Sequence, residues 1–261
     1  MLNKKTIWIL SFLITVSFAM FQRLTGPTYP VRGKLPSSKI SYKLPRSCNT
    51  DSPCLVKINS GDFKGRLEYK RFKTSDEFTS INFSKAGEVS IAVLPGQPPA
   101  GKLEYRLFDE NGNELVSGVI IRFKGPVPAW ILIPHIFFMF FFMLYSVKIF
   151  LSINTKSEIS LKDMLFNFSF LILGGFILGP LTQYYAFGYL WTGFPFGHDL
   201  TDNKTLVVLI AWVAALYAFL KSKKKALWIN LAFLVTALTY LVPHSLLGSE
   251  LDYQKIENAR K

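Results

Sequence analysis

Three histidines and two cysteines are the residues whose types suit chemistry. His135, His198 and His244 lie on three separate segments, and His198 sits in the stretch Gly193-Phe194-Pro195-Phe196-Gly197-His198-Asp199-Leu200-Thr201-Asp202-Asn203-Lys204. Two or three imidazoles with one carboxylate can ligate a divalent metal, with ligand distances of about 2.0–2.2 Å for zinc. His135, His198, Asp202 and His244 are the metal candidates, and His135 with His244 is the pair that could hold a haem axially. None of them shows a short ligand spacing, so the fold would have to bring them together. Of the three, His135 and His244 are expected to be closest. Without convergence they form a polar cluster, each able to charge near pH 6.5. Asp202 and Asn203 have a plainer use as N-cap of a helix beginning near Thr205.

Cys48 and Cys54 flank Asn49-Thr50-Asp51-Ser52-Pro53. That spacing is wider than a Cys-x-x-Cys redox pair and suits a small-loop disulfide in an exported segment. No Gly-rich phosphate loop, no Ser-x-x-x-His pair and no paired intramembrane carboxylates are present. A non-enzymatic protein without a cofactor is therefore expected. A metal- or haem-dependent membrane enzyme built on the three histidines is the alternative.

The elements that must position these residues are set by composition. Of 261 residues, 50% are apolar and only 18% charged, with 24 Phe. Soluble domains average about 25% charged residues, so a disordered chain is excluded and a wholly soluble enzyme is disfavoured. Five apolar runs stand out, at residues 6–21, 129–151, 164–185, 205–220 and 226–242. A membrane span needs about 20 such residues; the last two runs are short, with Lys and aromatic residues at their ends able to snorkel. If residue 1 is inside, the inner side receives Lys4, Lys5, Lys148, Lys156, Lys162, Lys221, Lys223, Lys224 and Lys225 against only Glu158 and Asp163. The positive-inside rule then places the N-terminus in the cytoplasm, and both the large polar segment and the C-terminus outside. The net charge of +13 is explained in good part by topology, and nucleic acid is not an expected partner.

Residues 1–21 read as a signal anchor, with Ser17-Phe18-Ala19 leaving a cleaved signal peptide as the other reading. Residues 22–127 form an exported domain, 128–243 a four-span helical domain, and 244–261 an outer tail. A bacterial inner membrane with a periplasmic domain fits the short Lys-rich loops. In the third span Gly175 and Gly179 have GxxxG spacing, which suits close helix packing, and Pro180 should kink the helix.

Within the exported segment the apolar pattern changes to alternation: Val56 and Ile58; Leu67 and Tyr69; Val89, Ile91 and Val93; Leu103, Tyr105 and Leu107; Val119, Ile121 and Phe123. Period two marks strands with one buried face. Ser60-Gly61-Asp62, Lys85-Ala86-Gly87 and Asn111-Gly112-Asn113 supply the turns. Six or seven such strands point to an immunoglobulin- or fibronectin-like sandwich, without the Cys…Trp…Cys hallmark. Gly65-Arg66-Leu67-Glu68-Tyr69-Lys70-Arg71-Phe72 recurs as Gly101-Lys102-Leu103-Glu104-Tyr105-Arg106-Leu107-Phe108, which predicts two related strands with a charged outer face. The expected partners are membrane lipid and a membrane or exported protein, the chain serving as an accessory or assembly subunit. Absent mid-depth carboxylates and the small number of spans argue against a coupled transporter.

Overall fold

The computed structural model describes residues 2–35, 40–243 and 250–260. His244 lies outside the described residues. The chain divides into two compact units: Met1–Pro27 with Val127–Gly248, and Thr28–Pro126 with Ser249–Lys261.

The first unit is helical. Helix α1 (Lys4–Thr25) starts at Asn3, whose side-chain oxygen accepts the Thr6 amide at 2.8 Å and so satisfies one free donor of the first turn. Its buried stripe is Ile7, Ser11 and Thr15, spaced by four. Both hydroxyls donate to the carbonyl four residues back, at 2.7 Å each. The stripe is therefore small and internally satisfied, and α1 packs against α2 (Ala129–Asn154) and α6 (Lys225–Leu241). Helix α2 touches most of the other helices and carries the core residues Phe142 and Ile149. Helix α3 (Leu161–Leu171) begins with a capping box in which Ser160 and Asp163 satisfy each other's amides.

Helix α3 runs through a π-helical turn, Ile172–Leu178, into α4 (Gly179–Phe187). Pro180 has no N–H and would crowd the carbonyl four residues back; widening the turn just before it relieves the ladder. In that turn the Gly174 carbonyl accepts the amide of Gly179, five residues on. Helix α5 (Leu200–Lys221) is capped by Asp199, whose oxygen accepts the Thr201 amide at 2.8 Å. The helix thus starts five residues before Thr205, and neither Asp202 nor Asn203 is its cap. A tail helix, α7 (Tyr253–Arg260), belongs to the second unit.

Among the described residues four helical segments are long and apolar enough to cross a membrane: Lys4–Thr25, Ala129–Asn154, Leu161–Phe187 and Leu200–Lys221. The fifth apolar helix, α6, has 17 residues. The unit keeps large apolar side chains outside as well as inside. On α5, Val207, Ile210, Val213, Tyr217 and Leu220 are all exposed. Such faces are unfavourable in water over this area.

Among its described residues the second unit holds ten strands: β1 (Val31–Lys34), β2 (Ser41–Leu44), β3 (Ser47–Asn49), β4 (Cys54–Ile58), β5 (Arg66–Arg71), β6 (Thr79–Asn82), β7 (Ser84–Ala86), β8 (Val89–Leu94), β9 (Lys102–Phe108) and β10 (Glu114–Lys124). They form two five-stranded sheets, β1-β2-β4-β8-β7 and β3-β10-β9-β5-β6. Both sheets contribute to one core, with Leu44, Val56, Ile58 and Leu94 from the first and Leu67, Leu103, Tyr105, Leu107, Ile121 and Phe123 from the second. All pairings are antiparallel except β3 with β10. Cys48 on β3, an edge strand of the second sheet, and Cys54 on β4, the central strand of the first, form a disulfide that joins the two sheets.

Strand β8 departs from its alternation. The sequence marks Val89, Ile91 and Val93 as the inward set, but the structure buries Ser90, Ala92 and Leu94 and leaves Val93 exposed. Pairing decides the face. Cys54, Val56 and Ile58 point inward on β4, and their direct partners are Leu94, Ala92 and Ser90. The buried Ser90 hydroxyl is satisfied by donating to the Ser60 carbonyl at 2.7 Å.

Candidate functional site

The two echo segments become neighbouring strands. β5 and β9 run antiparallel with Tyr69 opposite Tyr105, Glu68 opposite Arg106 and Lys70 opposite Glu104. Leu67, Leu103, Tyr105 and Leu107 are buried in the core, so by strand alternation Arg66, Glu68, Lys70, Glu104 and Arg106 stand on the outer face. Opposite charges face each other directly across the two strands, the arrangement that stabilises neighbouring strands. Aromatic rings complete this face. The Arg106 guanidinium lies 3.9 Å from the Phe78 ring centre, Lys70 Nζ 5.1 Å from the same ring, and Arg66 4.7 Å from Phe108. Cations stacked on rings lose side-chain freedom but keep their charge.

At one end of the same sheet the tail segment completes the unit. Glu250 bridges Lys73 at 3.1 Å and Lys102 at 3.2 Å, and the Tyr253 hydroxyl accepts the Lys102 amide at 3.0 Å. Arg71 lies over the Tyr253 ring and donates twice to Asp76, at 2.6 and 2.8 Å. These bonds hold the Asp76 carboxyl below its ordinary range. Partial burial opposes ionisation of Glu250, but the two lysines outweigh it and the net shift is downward. Lys102 is also shifted down, by burial and by nearby Arg122, with Glu250 pulling the other way. The surroundings thus favour an ionised Glu250 while making Lys102 easier to discharge. The two short lysine contacts give Glu250 the geometry of an ion pair with each.

A shallow depression of about 490 Å³ lies on the same unit. Lys64, Arg66 and Lys85 line it together with Asp62, Asp109 and Glu110. Lys85 bonds Asp62 and holds its carboxyl low, while Asp109 accepts amides of its own turn, Asn111 and Asn113. With its charges balanced and several already paired, it favours no ligand charge.

The histidines and Asp202 occupy distinct surroundings. His135 Nδ1 lies 3.0 Å from the Gly174 carbonyl; a carbonyl only accepts, so Nδ1 carries a proton. His135 thereby gives a second donor to the oxygen that the π-turn displaces. His198 is exposed in the loop between α4 and α5. Asp202 is buried, and its Oδ2 accepts the Thr192 amide at 2.6 Å, the Gly193 amide at 3.0 Å and the Gln183 side chain at 3.2 Å. Among the described residues no three His, Cys, Asp or Glu are grouped to hold a metal.

Two arrangements escaped the sequence. Lys148 and Asp163 form an ion pair between α2 and α3, with Lys148 over the Trp8 ring. Beside it the buried Ser146 donates to Asn167 Oδ1 at 2.9 Å. Lys148 reads as a topology charge in the sequence, and only the fold puts a carboxylate next to it.

Comparison with family models, curated proteins and solved structures gives no match.

Proposed function

We propose that this chain is a non-enzymatic integral membrane protein whose exported β-sandwich binds a protein partner through the outer face of β5 and β9. The observation that carries this reading is the lattice of Arg66, Lys70 and Arg106 on Phe108 and Phe78. Arginines and aromatics are the residue types that dominate protein interfaces, and here they are held in place before any partner arrives. Pre-ordering lowers the entropy cost of association.

The strand order supports an immunoglobulin-like module. β2-β4-β8-β7 faces β5, β9 and β10, which follows the ABED and CFG arrangement in chain order. Topology has two supports. Four helical segments are long and apolar enough to span. Between the β-unit and the tail lie three of these segments and the 17-residue α6, and the tail folds with the β-unit, as it must if all four cross. Together with the inner lysines, this supports a reading with the β-module and tail outside and the N-terminus in the cytoplasm. An oxidising compartment such as a periplasm accommodates the Cys48–Cys54 disulfide.

The test is a charge reversal on the full-length chain. Lys70→Glu with Arg106→Glu is expected to abolish recovery of the partner that co-purifies with the unaltered protein from gently solubilised membranes. Lys57→Glu, exposed on the other sheet, should leave it intact. Retention of every partner by the double variant would refute the proposed face.

A further inference from the structure

The loop between α4 and α5 is rigid by construction and apolar at its tip. Residues 188–197, Gly-Tyr-Leu-Trp-Thr-Gly-Phe-Pro-Phe-Gly, contain no charged side chain. Besides the Asp202 bonds, Asn203 Oδ1 accepts the Phe194 amide at 2.7 Å and Trp191 Nε1 donates to the Phe194 carbonyl at 3.0 Å. The amides of Phe196 and Gly197 both donate to the Gly193 carbonyl, and Asp199 donates to that of Thr192. No room remains at Gly193, where a Cβ would lie 2.6 Å from that of Asp202. This backbone cannot collapse to hide its own side chains. Phe194 is nonetheless 68% exposed and Phe196 82% exposed.

Two phenylalanines held outward on a fixed frame need an apolar surrounding outside the chain. Their neighbours identify it. Tyr184 and Tyr185 on α4 and Tyr189 and Leu190 in the loop are exposed beside them, and α5 continues outward with Val207 and Ile210. No charged residue stands between Asp163 and Asp199, so the α3–α4 segment, long enough to span, leads into the loop tip without a charged break. Tyr and Trp near the ends of spans are the residues that settle at the headgroup level.

We infer that this loop is an interfacial anchor, with Phe194 and Phe196 inserted into the polar–apolar boundary of the bilayer. Asp202, Asn203 and Gln183 act as positioning residues that hold the tip at that depth. The inference rests on the reading of α5 as a span, and its test separates the two.

Because Cys48 and Cys54 are joined, a new thiol gives one labelling site. Phe196→Cys, in the full-length protein in phosphatidylcholine–phosphatidylglycerol vesicles, is labelled with a nitroxide. Its collisions with oxygen and with a water-soluble nickel chelate are then compared. Ile210→Cys on α5 and Glu110→Cys in the β9–β10 turn serve as references. The expected oxygen-to-nickel ratio at position 196 lies between them, well above that at 110. A ratio equal to that at 110 would place the loop in water, and shielding from both probes would place a protein on it; either overturns the anchor. A water-like ratio at 210 would instead overturn the spanning reading itself. Phe194→Cys should repeat the result at 196, since neither ring is part of the core.

Discussion

Replacing Asp202 by Ala removes the acceptor of two backbone amides, those of Thr192 and Gly193, and of the Gln183 side chain. Hydrogen bonds to a charged group contribute about 1.5–3 kcal/mol each, and a buried donor left without a partner costs about 1–3 kcal/mol. These do not add fully, because the loop can open toward solvent once released. A net loss of about 2–5 kcal/mol follows. Asp202→Asn keeps an oxygen of the same reach without the charge, and neutral bonds are about half as strong. It should lose roughly half as much. The assay is hydrogen exchange at the Thr192 and Gly193 amides in detergent or nanodiscs, paired with thermal unfolding. Both amides should exchange far faster in the Ala variant and at an intermediate rate in the Asn variant. Unchanged protection in Asp202→Ala would refute the claim that this carboxylate fixes the loop.

Other consequences can be checked separately. Cys48 and Cys54 should resist alkylation unless reductant is added, and replacing both by Ala should destabilise the β-unit by about 2 kcal/mol. Mass measurement of the protein isolated from membranes should find α1 retained, because Ile7, Ser11 and Thr15 are buried in the helical unit; a product cleaved after Ala19 would contradict this. Gly174→Ala should cost about 1–3 kcal/mol, since its Cβ would meet Met139 Sδ at 2.9 Å and Met139 N at 3.1 Å; thermal unfolding reads this directly. The depressed pKa values of Asp76 and Glu250 give stability that is fully present above the unfolded carboxylate range, near about pH 4. It is lost as pH falls through the lower folded values. Each pair is partly exposed, so about 0.2–1 kcal/mol is expected from each. Glu250→Gln should flatten the acid limb of a pH titration of β-unit unfolding.

Much of this was legible because apolar length and alternation are local signals. The runs at 129–151 and 164–185 lie inside α2 and the α3–α4 segment. The echo strands bury the leucines and Tyr105 that the sequence marks. The spacing of Cys48 and Cys54 already suggests the disulfide they form. What escaped depends on partners distant in sequence. Val89, Ile91 and Val93 alternate convincingly, yet β4 dictates the face of β8, and Ser90 is tolerable inside only because the Ser60 carbonyl lies within reach. Asp202 resembles a cap by type and position; Asp199 takes that role, leaving Asp202 to bind the loop. The π-turn follows from Pro180, but a proline signals a break without saying how it is absorbed. Residues 250–260 carry too few apolar side chains to announce a docking segment, and Glu250 and Tyr253 act through a few specific polar contacts.

Whether the outer face of β5 and β9 meets a protein is decided by site-specific photocrosslinking in intact membranes, with the photoreactive residue at Arg106 and, separately, at Lys57 on the opposite sheet. Position 106 should give one discrete adduct, competed by an excess of the unlabelled chain, and position 57 none. Equal labelling from both positions, or no adduct from 106, would contradict the proposed interface.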